Sequence, residues 1–176
     1  MIVIAPVNMP VSIEDARNAA RINGIDRDGE IELRVRALTA EAEHAIGRAI
    51  INQTHRVTLD AFTARIELPV IPVQSVVVKY LDADGIEQTL DPQDYILDDS
   101  RAPYAIVPAP GKAWPATFAR INAVKVDALC GYGPDDTTAP AAFKGYILAK
   151  VQEYFAPAGT EQSPYLARLL DSLKVY

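Results

Sequence analysis

The stretch Val124-Lys125-Val126-Asp127-Ala128-Leu129-Cys130 runs into Gly131-Tyr132-Gly133, an acidic loop over residues 134–139, and then Pro140 with an apolar-periodic run to Phe155. Val124, Val126 and Ala128 alternate with Lys125 and Asp127, the period of a half-buried strand. The glycines end it, because glycine enters the φ > 0 region without steric cost. Pro140 suits a first helical position, where its missing N–H would be unpaired anyway, and Phe143, Ile147, Val151 and Tyr154 follow at helical spacing on one face. The stretch therefore reads as strand, glycine turn, loop and amphipathic helix.

Downstream of it, residues 156–159 break the chain and residues 160–162 continue as a polar linker. Ser163-Pro164 then offers a cap and a first-turn proline, and Leu166, Leu169, Leu170 and Leu173 recur at i, i+3, i+4 and i+7. This spacing predicts a short amphipathic helix, with Val175 and Tyr176 at the terminus. Such a helix is marginal alone. Its apolar face has no evident home in one subunit, so docking on a partner is expected.

Upstream, residues 53–129 carry short β runs divided by turn residues, at 55–60, 64–68, 74–81, 87–90, 95–98, 105–107 and 122–129. Asp82-Ala83-Asp84-Gly85 reads as a hairpin turn. Prolines at 69, 72, 92, 103, 108, 110 and 115 confine this region to short strands and edges, and residues 108–115 read as a long exposed loop. Before it, Asp28 is the expected cap of a long helix reaching about Ile50. Ile31, Val35, Leu38, Ala42, Ala45 and Ala49 form one apolar stripe of that helix, and Leu33, Ala37 and Ala40 part of a second. The second stripe is left over for the β segment or a neighbouring subunit. Glu30 with Arg34 and Glu32 with Arg36 are at i,i+4 on a solvated face. Further upstream, Ser12 caps a helix over about residues 13–22, closed by Asn23-Gly24, and residues 1–10 read as an extended arm.

The 176 residues suffice for one domain, or for a compact domain carrying an inserted one, and the 49% hydrophobic and 23% charged content is that of an ordinary globular protein. A net charge of -6 argues against gripping nucleic acid through phosphates. No apolar run approaches the roughly 20 residues that span a bilayer, and the first residues lack the make-up of a signal peptide, so a cytoplasmic product is expected. The single cysteine, Cys130, excludes an intrachain disulfide and reads as a small apolar strand residue.

No active site assembles from the sequence. His44 and His55 lack partners at metal-ligand spacing. Asp26-Arg27-Asp28-Gly29 and Asp82-Ala83-Asp84-Gly85 are similar to the opening of a calcium loop, but Ile31 and Glu87 stand where that loop needs its glycine. Asp98-Asp99 and Asp135-Asp136 could serve as the acid and base of a carboxylate-dependent hydrolase, but with 23 acidic residues such adjacent pairs are expected by chance. Trp114, Tyr104 and Tyr132 are the aromatics that a β-rich ligand- or carbohydrate-binding module would use. No catalytic, cofactor or metal residues are assigned.

The order of elements resembles a known family. The strand into Gly131-Tyr132-Gly133, the acidic loop, Pro140 and the helix ending near Tyr154 are similar to the head-tail connector (adaptor) proteins of long-tailed bacteriophages and gene transfer agents. Pro10-Val11-Ser12-Ile13-Glu14-Asp15-Ala16, Ala45-Ile46-Gly47-Arg48-Ala49-Ile50, and Leu81-Asp82-Ala83-Asp84-Gly85 before Tyr95 agree with it, so the likeness spans nearly the whole chain. The resemblance implies a structural virion protein and no enzyme. It would form a usually dodecameric ring of itself in the virion neck, assembled in the host cytoplasm. That ring would sit under the portal, contact a stopper or tail-completion protein, and pass DNA without specific binding. The portal contact would fall on Tyr165, Leu166, Leu169, Leu170, Leu173, Val175 and Tyr176. Where family members often end in a Pro-Tyr-Arg-like tail after paired leucines, this chain has Asp171-Ser172-Leu173-Lys174-Val175-Tyr176 after Leu169-Leu170. The expected fold is α+β: a helical core of four helices over residues 1–52 and 130–176, with an antiparallel sheet or small barrel inserted at 53–129.

Overall fold

The computed structural model describes residues 1–157, 160 and 163–174. The chain divides into two compact units, one of Met1–Ala5 and Gln53–Gly131, the other of Pro6–Asn52 and Tyr132–Tyr176.

The first unit is built on two antiparallel sheets. The larger has the order β1 (Ile2–Ile4), β2 (Gln53–Leu59), β8 (Val124–Cys130), β4 (Val73–Leu81) and β5 (Glu87–Thr89). The smaller has the order β3 (Ile66–Glu67), β7 (Ala105–Pro108) and β6 (Tyr95–Asp98). β8 is the central strand, paired with β2 from Gln53↔Cys130 to Leu59↔Val124 on one side and with β4 on the other. Its alternation is complete: Val124, Val126, Ala128 and Cys130 are buried and the residues between them are half-buried. Arg56 and Asp127, directly opposite in register, form a bidentate pair at 2.6 and 2.7 Å. The Tyr95 hydroxyl donates to the Val76 carbonyl at 2.7 Å and so fastens the small sheet to the large one. The hairpin between β4 and β5 turns on Asp82, whose carboxylate accepts from the N–H groups of Asp84 and Ile86, with Gly85 at φ 80°.

The second unit packs α1 (Ile13–Ala20), α2 (Asp28–Ile46) and α3 (Ala141–Phe155) around Val11, Ala16, Ile31, Val35, Leu38, Phe143, Ile147 and Val151. Ser12 caps α1 as expected, its hydroxyl accepting from the Asp15 N–H at 3.0 Å. Arg21, at φ 57°, ends the helix before Asn23-Gly24 is reached. Asp28 opens α2 but does not cap it, because Arg17 takes both its carboxylate oxygens at 2.9 and 2.6 Å and thereby ties α1 to α2. α2 stops at Ile46 and not near Ile50: Gly47 adopts φ 70°, and both its N–H and that of Arg48 return to the Glu43 carbonyl. Ala45 of the expected core stripe is consequently exposed, whereas Ile46 is buried.

The expectation of a helical core with an inserted sheet does not hold. Among the described residues eight strands in two antiparallel sheets contain about 25% of the residues against about 31% in helices, so the sheets are a unit of comparable weight to the helices and not an addition to a helical core. Both units are discontinuous in sequence, because the expected N-terminal arm is not an arm. Ile2-Val3-Ile4 are β-branched and pair along β2 as β1, drawing the start of the chain into the sheet unit. The C-terminal apolar run is also not an α-helix: Leu166–Leu173 is a 3-10 helix.

Gly133 is required for a steric reason. A Cβ there would lie 2.4 Å from Thr138 Oγ1 and 2.5 Å from Thr138 Cβ. Thr138 cannot withdraw easily, since its hydroxyl donates to the Asp135 carbonyl at 2.7 Å and its N–H to the same oxygen at 3.2 Å. Gly133→Ala is expected to destabilise the protein by about 1–3 kcal/mol, as overpacking does. Adding Thr138→Gly should restore part of the loss; an unchanged urea midpoint in the single variant would refute the clash.

Candidate assembly surfaces

The leucines of the terminal segment have a home in their own unit. Leu170 is 4% exposed within the helical core, and Leu166 and Leu173 pack against the same cluster. Arg48 holds the end of the segment, donating through Nε to the Leu173 carbonyl and through Nη1 to the Tyr132 hydroxyl at 3.3 Å. Glu153 on α3 accepts from the Ser163 N–H at 2.8 Å at the segment's start. This corrects the expectation of an unhoused apolar face. Among the residues assigned to portal contact, Tyr165 at 60% and Leu169 at 40% remain exposed, the former with the Arg168 guanidinium over its ring at 4.6 Å. Val175 and Tyr176 lie outside the described residues.

A second exposed surface is the outer face of α2. Leu33 is 70% exposed, and Ala37 and Ala40 lie beside it in the open, as the left-over stripe requires. Its charges are arranged differently from the i,i+4 reading. Glu32 and Arg36 pair at 2.9 Å, but Glu30 pairs with Arg27 at 2.8 Å. Arg34 instead stacks over the Tyr154 ring at 4.3 Å, which explains why Tyr154 follows the periodicity of α3 and yet is half outside.

Several of the chemistry-bearing candidates are engaged locally, whereas the buried Nε2 of His55 has no hydrogen-bond partner. Burial pushes the Cys130 thiol up to about 11, so it is a buried strand residue without thiolate character. Burial, helped by the terminal ammonium of Met1, lowers His55 below its ordinary value. Asp135 accepts from the Thr137 hydroxyl and N–H within its own turn. Trp114 stacks on Phe62 at 4.8 Å and donates its indole N–H to the Thr63 carbonyl at 2.7 Å, which leaves neither its handle nor that ring face for a ligand. A cleft of about 500 Å³ in the helical unit is lined by Ala19, Ala20, Arg21, Gln152, Phe155 and neighbours, and presents no carboxylate, histidine or thiol. No three His, Cys, Asp or Glu side chains among the described residues could hold a metal together.

Asp98 is held by Arg65, by the Ser100 hydroxyl and by the Ser100 N–H, which together lower its carboxyl from 3.8 to about 2. A carboxyl depressed in the fold contributes stability above its unfolded value, and that contribution disappears as pH falls from 3.8 through about 2. Asp98→Asn is therefore expected to lower the melting temperature at neutral pH and to converge with the parent near pH 2. Parallel melting curves at several acidities test this, and a constant offset at all pH values would count against it.

No protein-family model matches the chain and no curated protein matches it. Solved structures do. The chain is similar, at 20% identity with a TM-score of 0.78, to a chain in the virion of a native gene transfer agent (GTA) particle, covering 100% of this chain and 95% of that one. In the neck of an empty GTA particle computed with C6 symmetry the similarity is 19% identity and a TM-score of 0.81, over 100% and 95%. In the neck of a native GTA particle computed with C12 symmetry it is 19% and 0.68, over 100% and 96%. At these identities the likeness establishes the fold, over the whole length of the chain.

Proposed function

We propose that the chain is a structural virion protein of the neck, a head-tail connector (adaptor) that forms a ring of about twelve copies in a phage-like or gene-transfer-agent particle. The observation that carries this reading is the end-to-end match to a neck chain, at a TM-score of 0.81 with 95% of that chain covered. The connector resemblance read from Pro10–Ala16, Ala45–Ile50 and the glycine turn supports it independently. Its partners would be further copies of itself, a portal protein above and a stopper or tail-completion protein below. The duplex would pass through the channel without specific binding, in keeping with a net charge of -6. The work is structural and needs no cofactor. Among the described residues no helix is long and apolar enough to cross a membrane.

The test is assembly. Purified chain mixed with the portal of its own particle should give a closed ring on one end of the portal by electron microscopy. It should also show no salt-sensitive binding to free duplex DNA. A chain that stays monomeric beside its portal, or that hydrolyses or retains a small ligand, would overturn the reading.

A further inference from the structure

We propose that β1 is a proton-released strap: uptake of a proton by His55 frees it from the edge of β2. The strap is lightly held. Its register is Ile2↔His55 and Ile4↔Thr54 with an irregularity between them, and its firmest bonds are to Arg56, whose N–H donates to the Met1 carbonyl at 2.7 Å and whose carbonyl accepts from the Met1 ammonium at 2.9 Å. Ile2 is 52% and Ile4 60% exposed, so releasing the strand uncovers little apolar surface and opens far below the cost of unfolding. Because Met1 and Arg56 exchange both backbone bonds, Ile2 and His55 form the closer, non-hydrogen-bonded pair beside them, where side chains of the two strands meet. His55 therefore lies against the strap. Its Nε2 is buried and has no hydrogen-bond partner. Opposite it on β8 stands only the methyl group of Ala128, and Gln53 and Val57 flank it along the same face of β2. Asp127 and Lys125 of β8 lie on the other face, where they pair with Arg56 and Glu87. No carboxylate thus faces the ring from β1, β2 or β8, and the charge that acts on it, the Met1 ammonium, is repulsive to a second cation. A proton on Nε2 would be a buried donor without an acceptor. Both costs vanish when β1 leaves and water reaches the imidazole. The downward shift of His55 from 6.5 has the sign this requires: a base depressed in the closed state favours the open state as pH falls below 6.5, by about tenfold per pH unit until the closed state itself takes up the proton.

The device belongs to one chain and does not require the ring. Hydrogen exchange of the Arg56 amide, corrected for its intrinsic pH dependence, reads the release of β1, since that N–H is bonded to Met1. Its opening constant should rise about tenfold per pH unit below about 6.5 and depend only weakly on urea, while the amides of β8 open with the steep urea dependence of global unfolding. In His55→Gln, and in His55→Phe as a second variant that cannot titrate, the pH slope should vanish. A slope retained in either folded variant overturns the proposal, as does an Arg56 amide that opens only together with β8. Should neither variant fold, the ring-proton signal of His55 in the parent protein decides: a midpoint at or above 6.5 overturns the strap, and a depressed midpoint together with the rise in Arg56 exchange supports it.

Discussion

Leu38→Ala is expected to destabilise the protein by about 2–5 kcal/mol, whereas Leu33→Ala, five residues away on the same helix, should change stability by about 0.5 kcal/mol or less. The difference is entirely one of burial. Leu38 is 3% exposed and sits in the cluster of Ile31, Val35, Ala42 and Phe143, so truncation removes buried methyl groups and leaves a cavity between α2 and α3 that rigid neighbours cannot fill. Leu33 is 70% exposed and loses almost nothing when shortened. Urea titrations of the two variants, with m-values compared to verify that the unfolded states match, would decide it. A loss at Leu33 as large as that at Leu38 would mean that the outer face of α2 is already covered in solution by another copy.

Where a signal in the sequence was both local and periodic, it located the element. The alternation from Val124 to Cys130 became the central strand, Tyr95–Asp98 formed as read, and Asp82 to Gly85 made its turn, because side-chain period and turn chemistry act within a few residues. The misses have the opposite character. Ile2-Val3-Ile4 is too short to show a period, and it becomes a strand only because β2, some fifty residues on, offers an edge to it. Asp28 has the chemistry of a cap, but Arg17 claims it from another helix. Arg34 has an acid at i−4 and still stacks on Tyr154, since α3 brings a ring face to it. These outcomes depend on tertiary neighbours that composition and spacing do not specify. The exposed face of α2 follows the same division, since it was legible as a left-over stripe from the spacing of Leu33, Ala37 and Ala40.

Leu170→Ala should cost about 2–5 kcal/mol, and deleting residues 163–176 should cost at least as much, so the terminal segment belongs to the folded unit. Four leucines at i, i+3, i+4 and i+7 would share one face of an α-helix, free as a whole to dock on a partner. In a 3-10 helix the period is about three residues per turn, and the same spacing divides between two faces. Leu170 and Leu173 fall together toward the core, with Leu170 4% exposed, while Leu169 is left 40% exposed and Leu166 only partly covered. Truncation removes these contacts and the bond from Arg48 to the Leu173 carbonyl at once. Under the proposed function, portal contact by this segment is left to Tyr165 and Leu169 among the described residues. Their alanine variants should melt like the parent yet lose attachment to the portal in a sedimentation assay. Should the truncated chain melt like the intact one and merely fail to bind, the segment is a docking tail after all; should Tyr165→Ala with Leu169→Ala bind normally, the portal contact lies elsewhere on the chain.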